Sequence, residues 1–154
     1  MDQDVTRLVL NRETLAFEVG ILADFEVRKI LGKSYPALAA QPNAQVLGVL
    51  VQGINPAEQR ALSYYEGDEY LIETISVVLS KSQKVLPAKV FCPKGDVKLE
   101  TDLWNLADWQ LTAKAKMLPE LRKEMQNYWD TFIRTGHSGL HPSAPSKIRG
   151  DVKS

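Results

Sequence analysis

A short helix bounded at both ends is the feature that most constrains the fold. Asn55 can cap its N-terminus, Pro56 suits the first helical position, and Glu58 stands where a capping-box carboxylate reaches back. Gly67 can adopt the left-handed conformation that ends a helix. These signals predict a helix that ends at Glu66 and interrupts a run of strands.

One face of this helix is apolar, since Ala57, Ala61, Leu62 and Tyr65 recur at helical spacing. We therefore expect the Tyr65 ring in the core. Glu66 would stand at the negative end of the helix dipole, beside aromatic rings. Both surroundings disfavour a carboxylate, so we expect a raised pKa for Glu66. Such a group suits general base catalysis, and a solvated glutamate at a helix end is the alternative.

Composition and charge narrow the class of protein. The chain has 154 residues, 44% of them hydrophobic, and its 19 Lys and Arg balance 19 Asp and Glu, as in a globular protein. No basic stripe interleaved with aromatic residues indicates a nucleic-acid partner. No apolar run reaches the length of a membrane span, and no signal pattern opens the chain. Cys92 stands alone, which excludes an internal disulfide and favours a reducing, cytoplasmic location.

The other segments predict strands between terminal helices. In chain order we predict a helix over 2–12 capped by Asp2, a half-buried strand over 22–31, an extended piece over 35–39, a turn at Pro42 and Asn43, and a strand over 46–51 buried on both faces. Gly48 in that strand indicates close approach of another backbone or a ligand. Residues 70–79 and 85–91 form a hairpin, and a loop covers 93–98. A helical region follows from Leu106 to Phe132, which Pro119 should kink or split.

This order of elements predicts an α+β fold. The connections are too short for repeated βαβ units, which favours a largely antiparallel or mixed sheet that could close into a small barrel. We expect residues 1–135 to form one domain. The Ser, Pro, Gly and Lys content of residues 136–154 predicts a flexible tail.

An ordered set of residues resembles the gamma-glutamylcyclotransferase-like family, which includes gamma-glutamylamine cyclotransferases and plant avirulence-induced proteins. The set consists of Tyr35-Pro36-Ala37-Leu38, Val46-Leu47-Gly48-Val49-Leu50, Gly53, Leu62, Tyr65-Glu66-Gly67 and Tyr70. A helix with Trp104, Leu106 and Trp109 further resembles a bacterial subgroup with an added C-terminal helix.

The resemblance implies a small mixed β-barrel with flanking helices and a cavity at one end. It implies that Glu66 is the acid/base of an enzyme that releases 5-oxoproline from a γ-glutamyl amine or peptide. Tyr35, Gly48 and Tyr70 would line the pocket for this small-molecule substrate. The chemistry needs neither a metal nor a cofactor, because the nucleophile is already tethered to the reacting carbonyl.

The chain departs from the family near its N-terminus. Family members have a strand that ends in a Tyr-Gly-Thr-Leu loop, whose backbone amides hold the glutamyl end of the substrate. That motif does not occur in this sequence, and Asp2-Gln3-Asp4-Val5 resembles the segment that follows it. We therefore expect a sheet edge that pairs with another chain, as in a homo-oligomer. The alternative to an enzyme is a non-catalytic family member that binds a small molecule or a protein.

Other candidate sites carry weaker signals. His137 and His141 are four residues apart but lie in a Gly- and Pro-rich stretch, so we expect no metal site. Cys92 has no histidine near it in sequence and is expected to be buried filler. Asp68 and Glu69 are expected in a solvated loop rather than in a cation site. The three tryptophans, Trp104, Trp109 and Trp129, are expected to pack helices onto the core.

Overall fold

The computed structural model describes residues 2–136, which fall into two compact units. Within these residues the helical unit contains 2–15, 53–68 and 106–136, and the sheet unit contains 16–52 and 69–105. The helices are α1 (Gln3–Leu10), α2 (Pro56–Glu66), α3 (Leu106–Thr112) and α4 (Lys114–Thr135). The strands are β1 (Phe17–Ile30), β2 (Pro36–Val51), β3 (Tyr70–Leu79), β4 (Val85–Pro93) and β5 (Leu99–Leu103).

The helical unit is built on one apolar cluster. Asp2 caps α1, as predicted, by accepting from the backbone N–H groups of Asp4 and Val5. The buried members of the cluster are Val5, Val9, Ala61, Tyr64, Leu121, Met125, Tyr128 and Trp129. None of the helices in residues 2–136 is both long and apolar enough to cross a membrane.

The central ring on α2 is Tyr64, which the sequence prediction missed. Tyr64 is 7% exposed, whereas Tyr65 is half-buried and packs against the margin of the cluster. The ring centroids of Tyr64 and Tyr128 lie 4.8 Å apart. The apolar face of α2 is therefore rotated toward Tyr64, because α4 places its own aromatic residue against that position.

The C-terminal helices break at Ala113 and not at Pro119, so of the two predicted effects of Pro119 the split is wrong, and the kink stays a prediction. Ala113 stands between α3 and α4, and Pro119 lies inside α4. The cost of the missing donor at Pro119 is offset by the apolar face that follows it, including Leu121 and Met125, which are buried in the cluster. Gly136 ends α4 with a φ of 64°, and the rest of the predicted tail lies outside the described residues.

The sheet confirms the α+β class but corrects the mixed barrel. Every strand pairing in the described residues is antiparallel. The strands run in the order β2-β1-β3-β4, and β5 also pairs with β1. Within the described part no pairing joins β2 to β4, so the sheet is open. The hairpin of β3 and β4 is confirmed, whereas β5 was missed because charges alternate through its short sequence.

The predicted turn at Pro42 and Asn43 is a bulge inside one long strand. Ala23 of β1 faces Gln45 of β2, but two residues later Phe25 faces Ala40, so several β2 residues oppose Asp24. Asp24 and Asn43 both have positive φ, of 62° and 64°. The Asn43 N–H donates to Asp24 Oδ1 at 2.9 Å, which satisfies the backbone that the bulge displaces.

The apolar segment 46–51 is not buried on both faces, because only one face of it packs into an apolar cluster. One face contributes Val46 and Leu50 to a second apolar cluster around Leu22, Val77 and Ala88. On the other face Leu47 is 72% exposed. This exposure contradicts the prediction that the strand is buried on both faces.

Candidate active site

Glu66 is the last residue of α2, as the sequence predicts. The Gly67 N–H donates to the Ser63 carbonyl at 3.0 Å, and Gly67 takes a φ of 75°. A side chain with a Cβ would be strained at that φ, so glycine fixes where the helix ends. Glu66 itself is half-buried. The helix end therefore presents a carboxyl group that is neither fully solvated nor enclosed.

The start of α2 is locked by a buried carboxylate that the sequence prediction treated only as a cap. The Asn55 N–H donates to Glu58 Oε2 at 2.8 Å, and the Glu58 N–H donates to Asn55 Oδ1 at 3.0 Å. Arg12 donates from Nη2 to Glu58 Oε2 at 2.9 Å and to the Gly53 carbonyl at 3.2 Å. Glu58 is thus both capped and paired, which fixes the orientation of the helix that carries Glu66.

A second carboxyl group lies beside the aromatic residues of the helical core. Burial raises the pKa of the Tyr64 phenol to about 12, and the neighbouring Glu124 carboxylate adds to the shift. Tyr64 therefore stays protonated at any physiological pH. It serves as a buried hydrogen-bond donor in the core and not as an acid or base.

Two of the predicted substrate-binding residues, Tyr35 and Tyr70, come together in the sheet unit. The Tyr35 hydroxyl donates to Glu69 Oε2 at 2.5 Å. The Tyr70 hydroxyl donates to the Pro36 carbonyl at 2.6 Å. Lys33 Nζ lies 5.8 Å from the centroid of the Tyr35 ring. Two phenols, a carboxylate and an ammonium thus form one polar cluster at the start of β2.

Glu69 is a member of this cluster that sequence reasoning missed. It was predicted to be a solvated loop residue, yet it is half-buried and bonded to a residue 34 positions away. Its carbonyl also accepts from the Lys94 N–H at 2.9 Å. The only available signal was its position directly before Tyr70, and that signal does not identify the remote partner.

Gly48 lies in the other half of β2, beyond the bulge, and is not part of the Tyr35–Tyr70 cluster. It faces Gly20 of β1. A Cβ placed on Gly48 would meet no described heavy atom within 4 Å, so the predicted close approach of another backbone is wrong. The close approach occurs at Gly20, where a Cβ would lie 2.6 Å from Val77 Cγ1. Whether Gly48 contacts substrate stays a prediction.

Cys92 is buried near the end of β4, as predicted. Burial raises the pKa of its thiol to about 11, and the nearby Glu73 carboxylate adds to the shift. A thiol held protonated in this way is a poor nucleophile at neutral pH. Within residues 2–136 no group of His, Cys, Asp or Glu could hold a metal ion. His137 and His141 lie outside that part of the chain.

The tryptophans divide between the two units. Trp129 is buried in the helical cluster and donates from Nε1 to the Val9 carbonyl at 3.0 Å, and Trp109 packs against the same cluster. Trp104 belongs to the sheet unit and donates from Nε1 to the Ser34 carbonyl at 3.3 Å. The expectation of helix packing therefore holds for Trp109 and Trp129, while Trp104 secures the chain just before Tyr35.

Known proteins with a similar sequence support the resemblance. Residues 1–111 match the sequence model of a family described as Gamma-glutamyl cyclotransferase, AIG2-like. AIG2-like protein D of Arabidopsis thaliana is 31% identical over 131 residues, which cover 81% of this chain and 85% of the relative. AIG2-like protein A of the same plant is 25% identical over 127 residues, which cover 81% of this chain and 76% of the relative.

Solved structures share the fold. A solution structure of an Arabidopsis thaliana protein superposes with a TM-score of 0.60 at 18% identity, covering 95% of this chain and 88% of that chain. A second Arabidopsis thaliana solution structure gives a TM-score of 0.56 at 26% identity, covering 81% of this chain and 84% of that one. Because the family match spans most of the sequence, this chain belongs to the AIG2-like gamma-glutamyl cyclotransferase family.

Proposed function

We propose that this protein is a cyclotransferase that releases 5-oxoproline from a γ-glutamyl amine or peptide, with Glu66 as general acid/base. The observation that carries the proposal is the placement of Glu66. A capping box and a glycine with positive φ fix the two ends of its helix, and Glu66 lies within the segment that matches the family. A half-buried carboxyl group on a rigid element suits repeated proton transfer.

The proposed reaction is an internal acyl transfer. The α-amino nitrogen of the γ-glutamyl group attacks its own γ-carbonyl carbon, forming a new C–N bond. The Glu66 carboxylate takes the proton that this nitrogen loses. The bond between the γ-carbonyl carbon and the departing nitrogen then breaks, and Glu66 returns the proton to the leaving amine. The products are 5-oxoproline and a free amine, with no net change in protons or electrons.

The energetic demand on the protein is modest. The nucleophile is tethered to its electrophile, so much of the entropic cost of bringing them together is absent. Proton transfer by a positioned carboxyl group contributes a factor of about 10² to 10⁴ in rate. We propose Tyr35, Gly48 and Tyr70 as substrate-binding residues. Tyr35 and Tyr70 offer phenol groups held by the hydrogen bonds described above.

The test measures 5-oxoproline released by the purified full chain from a panel of γ-glutamyl amines and γ-glutamyl dipeptides. We expect Glu66→Gln to lower kcat by a factor of about 10² or more while the fold is kept, because the amide cannot carry the proton. Asp68→Asn is the matched control. It removes the same charge from an exposed carboxylate two residues away and should leave kcat unchanged.

Three outcomes separate the alternatives. Equal rates for the wild type and Glu66→Gln would remove Glu66 from the mechanism. Binding of γ-glutamyl compounds without turnover by the wild type would favour the non-catalytic alternative. Loss of rate in Asp68→Asn as large as in Glu66→Gln would indicate a general effect of charge near the helix end and not a specific proton transfer.

A further inference from the structure

The half of β2 that follows the bulge has an open edge without charge. From Ala44 to Val51 the strand contains no charged residue and no proline. In the part of the chain that the structure describes, the only strand hydrogen-bonded to this half is β1. Outer strands of soluble proteins usually carry lysine, proline or a bulge that prevents pairing with another chain. Apart from the bulge opposite Asp24, residues 44–51 carry none of these protective features.

The backbone groups that face the open side can be identified. The Ser80 N–H donates to the Val19 carbonyl at 2.9 Å, so Val19 directs its backbone polar groups away from β2. Val19 faces Val49, which is therefore a non-hydrogen-bonded pair of the antiparallel ladder. Because strands alternate with a period of two, Leu47, Val49 and Val51 direct their N–H and C=O groups toward the open side.

An apolar face accompanies this edge. Val19 faces Val49, and Ile21 faces Leu47, so these four side chains share one face of the sheet. They lie opposite the face that supplies the core residues around Leu22. Two of these side chains are exposed, Val19 to 50% and Leu47 to 72%. In this part of β1 and β2 both faces of the sheet are therefore apolar, but only the face around Leu22 belongs to a core cluster.

The outer strands β4 and β5 contain features that discourage pairing. β4 carries Pro87 and Lys89, and β5 carries Glu100 and Asp102. A second copy at β5 would set like charges against each other, and Pro87 cannot donate to a ladder. An antiparallel second copy at residues 45–51 meets apolar and glycine residues and one uncharged glutamine, Gln45, and no charged residue or proline. The segment is therefore complementary to itself.

We propose that residues 45–51 pair antiparallel with the same segment of a second copy of this chain, across a two-fold axis at Gly48, so that Leu47 faces Val49 and Gln45 faces Val51 of the other copy. The resulting interface is isologous: Leu47, Val49 and Val51 of each copy exchange backbone hydrogen bonds with the partner strand. The apolar faces of the two copies then form one continuous surface. An interface of one short strand pair is small, so we expect a reversible dimer whose population depends on protein concentration. The proposal is independent of the cyclotransferase activity.

The test is sedimentation of the full chain over a series of concentrations from low to high micromolar. We expect the wild type to shift from monomer to dimer as concentration rises. Leu47→Lys and Val49→Lys should each weaken the dimer at least about tenfold, because they place like charges across the two-fold axis. Val85→Lys is the matched control. It adds the same charge to a strand residue that is 63% exposed on β4, and it should dimerise like the wild type.

Amide hydrogen exchange distinguishes this interface from any other. The amides of Leu47, Val49 and Val51 should exchange more slowly as the wild type dimerises, whereas those of Gly48 and Leu50 are protected at every concentration by β1. The proposal is overturned if the chain stays monomeric, or if it dimerises equally well with Leu47→Lys and Val49→Lys. It is also overturned if the three outward amides are protected in the dilute monomer, since another segment would then cover the edge.

Discussion

Adjacent tyrosines on α2 show how a single residue step decides burial. Tyr64 and Tyr65 are chemically identical, and helical spacing alone assigned the core position to Tyr65. In the structure Tyr64 stacks against Tyr128 while Tyr65 stays half-buried. The choice depends on Tyr128 of α4, which lies 64 positions after Tyr64 in the chain, so the pattern within α2 could not resolve it.

Replacing each tyrosine by alanine should give unequal losses of stability. We expect Tyr64→Ala to lower the free energy of unfolding by about 3–5 kcal/mol, as for other buried aromatic residues. Tyr65→Ala should cost clearly less, because its ring is only partly removed from water. Urea denaturation of both variants, followed by far-UV circular dichroism, measures the difference. A larger loss for Tyr65→Ala would contradict the packing of α2 described here.

Two facing glycines offer a test of packing between strands. Gly20 of β1 and Gly48 of β2 are directly opposite each other, yet only Gly20 has a close neighbour. A Cβ on Gly20 would collide with Val77, a buried residue of the sheet core. We expect Gly20→Ala to destabilise the fold by about 1–3 kcal/mol through overpacking.

Gly48→Ala is the control for that prediction, since it adds the same methyl group in open space. We expect it to change the free energy of unfolding by less than about 0.5 kcal/mol. Chemical denaturation at low protein concentration measures both variants without a contribution from association. Similar losses for the two glycines would mean that strand propensity, and not contact with Val77, sets the cost.

The N-terminus of α1 is held by charge, which makes its stability depend on pH. Burial alone would raise the pKa of Asp2, but hydrogen bonds from Gln110 and Lys114 outweigh it and lower that pKa below 3.8. Lys114 Nζ lies 3.0 Å from Asp2 Oδ2. A carboxyl group whose pKa is lower in the folded state than in the unfolded state stabilises the fold at pH values above its unfolded pKa. This stabilisation is lost as the pH falls through the folded pKa.

Asp2→Asn should therefore destabilise the protein near neutral pH by about 1.5–3 kcal/mol, the range for hydrogen bonds to charged groups. Asparagine keeps the oxygen that caps the helix, but it removes the charge and the Oδ2 acceptor that Gln110 and Lys114 use. The difference in melting temperature from the wild type should shrink as pH falls below 3.8, where the wild-type carboxyl becomes protonated. Asp96→Asn, in an exposed loop, should show no such convergence. A difference that is constant with pH would exclude the ionic origin.

For the whole molecule, the proposed dimer links stability to concentration. Association that requires the folded sheet stabilises the native state by mass action. We expect the melting temperature of the wild type to rise with protein concentration, while that of Leu47→Lys stays constant. Scanning calorimetry over the concentrations used for sedimentation measures this. Equal dependence in both proteins would show that association does not use the edge of β2.

Local signals allowed the sequence to predict much of the fold. The cap at Asp2, the capping box between Asn55 and Glu58, the stop at Gly67 and the hairpin of β3 and β4 are all as predicted. Each depends on residues within a few positions of one another, where backbone sterics and short hydrogen bonds dominate. The family resemblance belongs to this level too, because it follows an ordered set of residues along the chain.

Tertiary structure alone decided the features that depend on remote partners. It placed Val46–Val51 at the edge of the sheet, although an apolar run of that kind is typical of a central strand. It also joined Tyr35 to Glu69 across 34 residues and made one bulged strand out of an expected turn. Local sequence signals were enough to place the cap of α1, both ends of α2 and the position of Glu66 on its helix. Contacts between segments that are distant in sequence decide which faces of the helices and strands are covered. No local sequence pattern encodes these contacts.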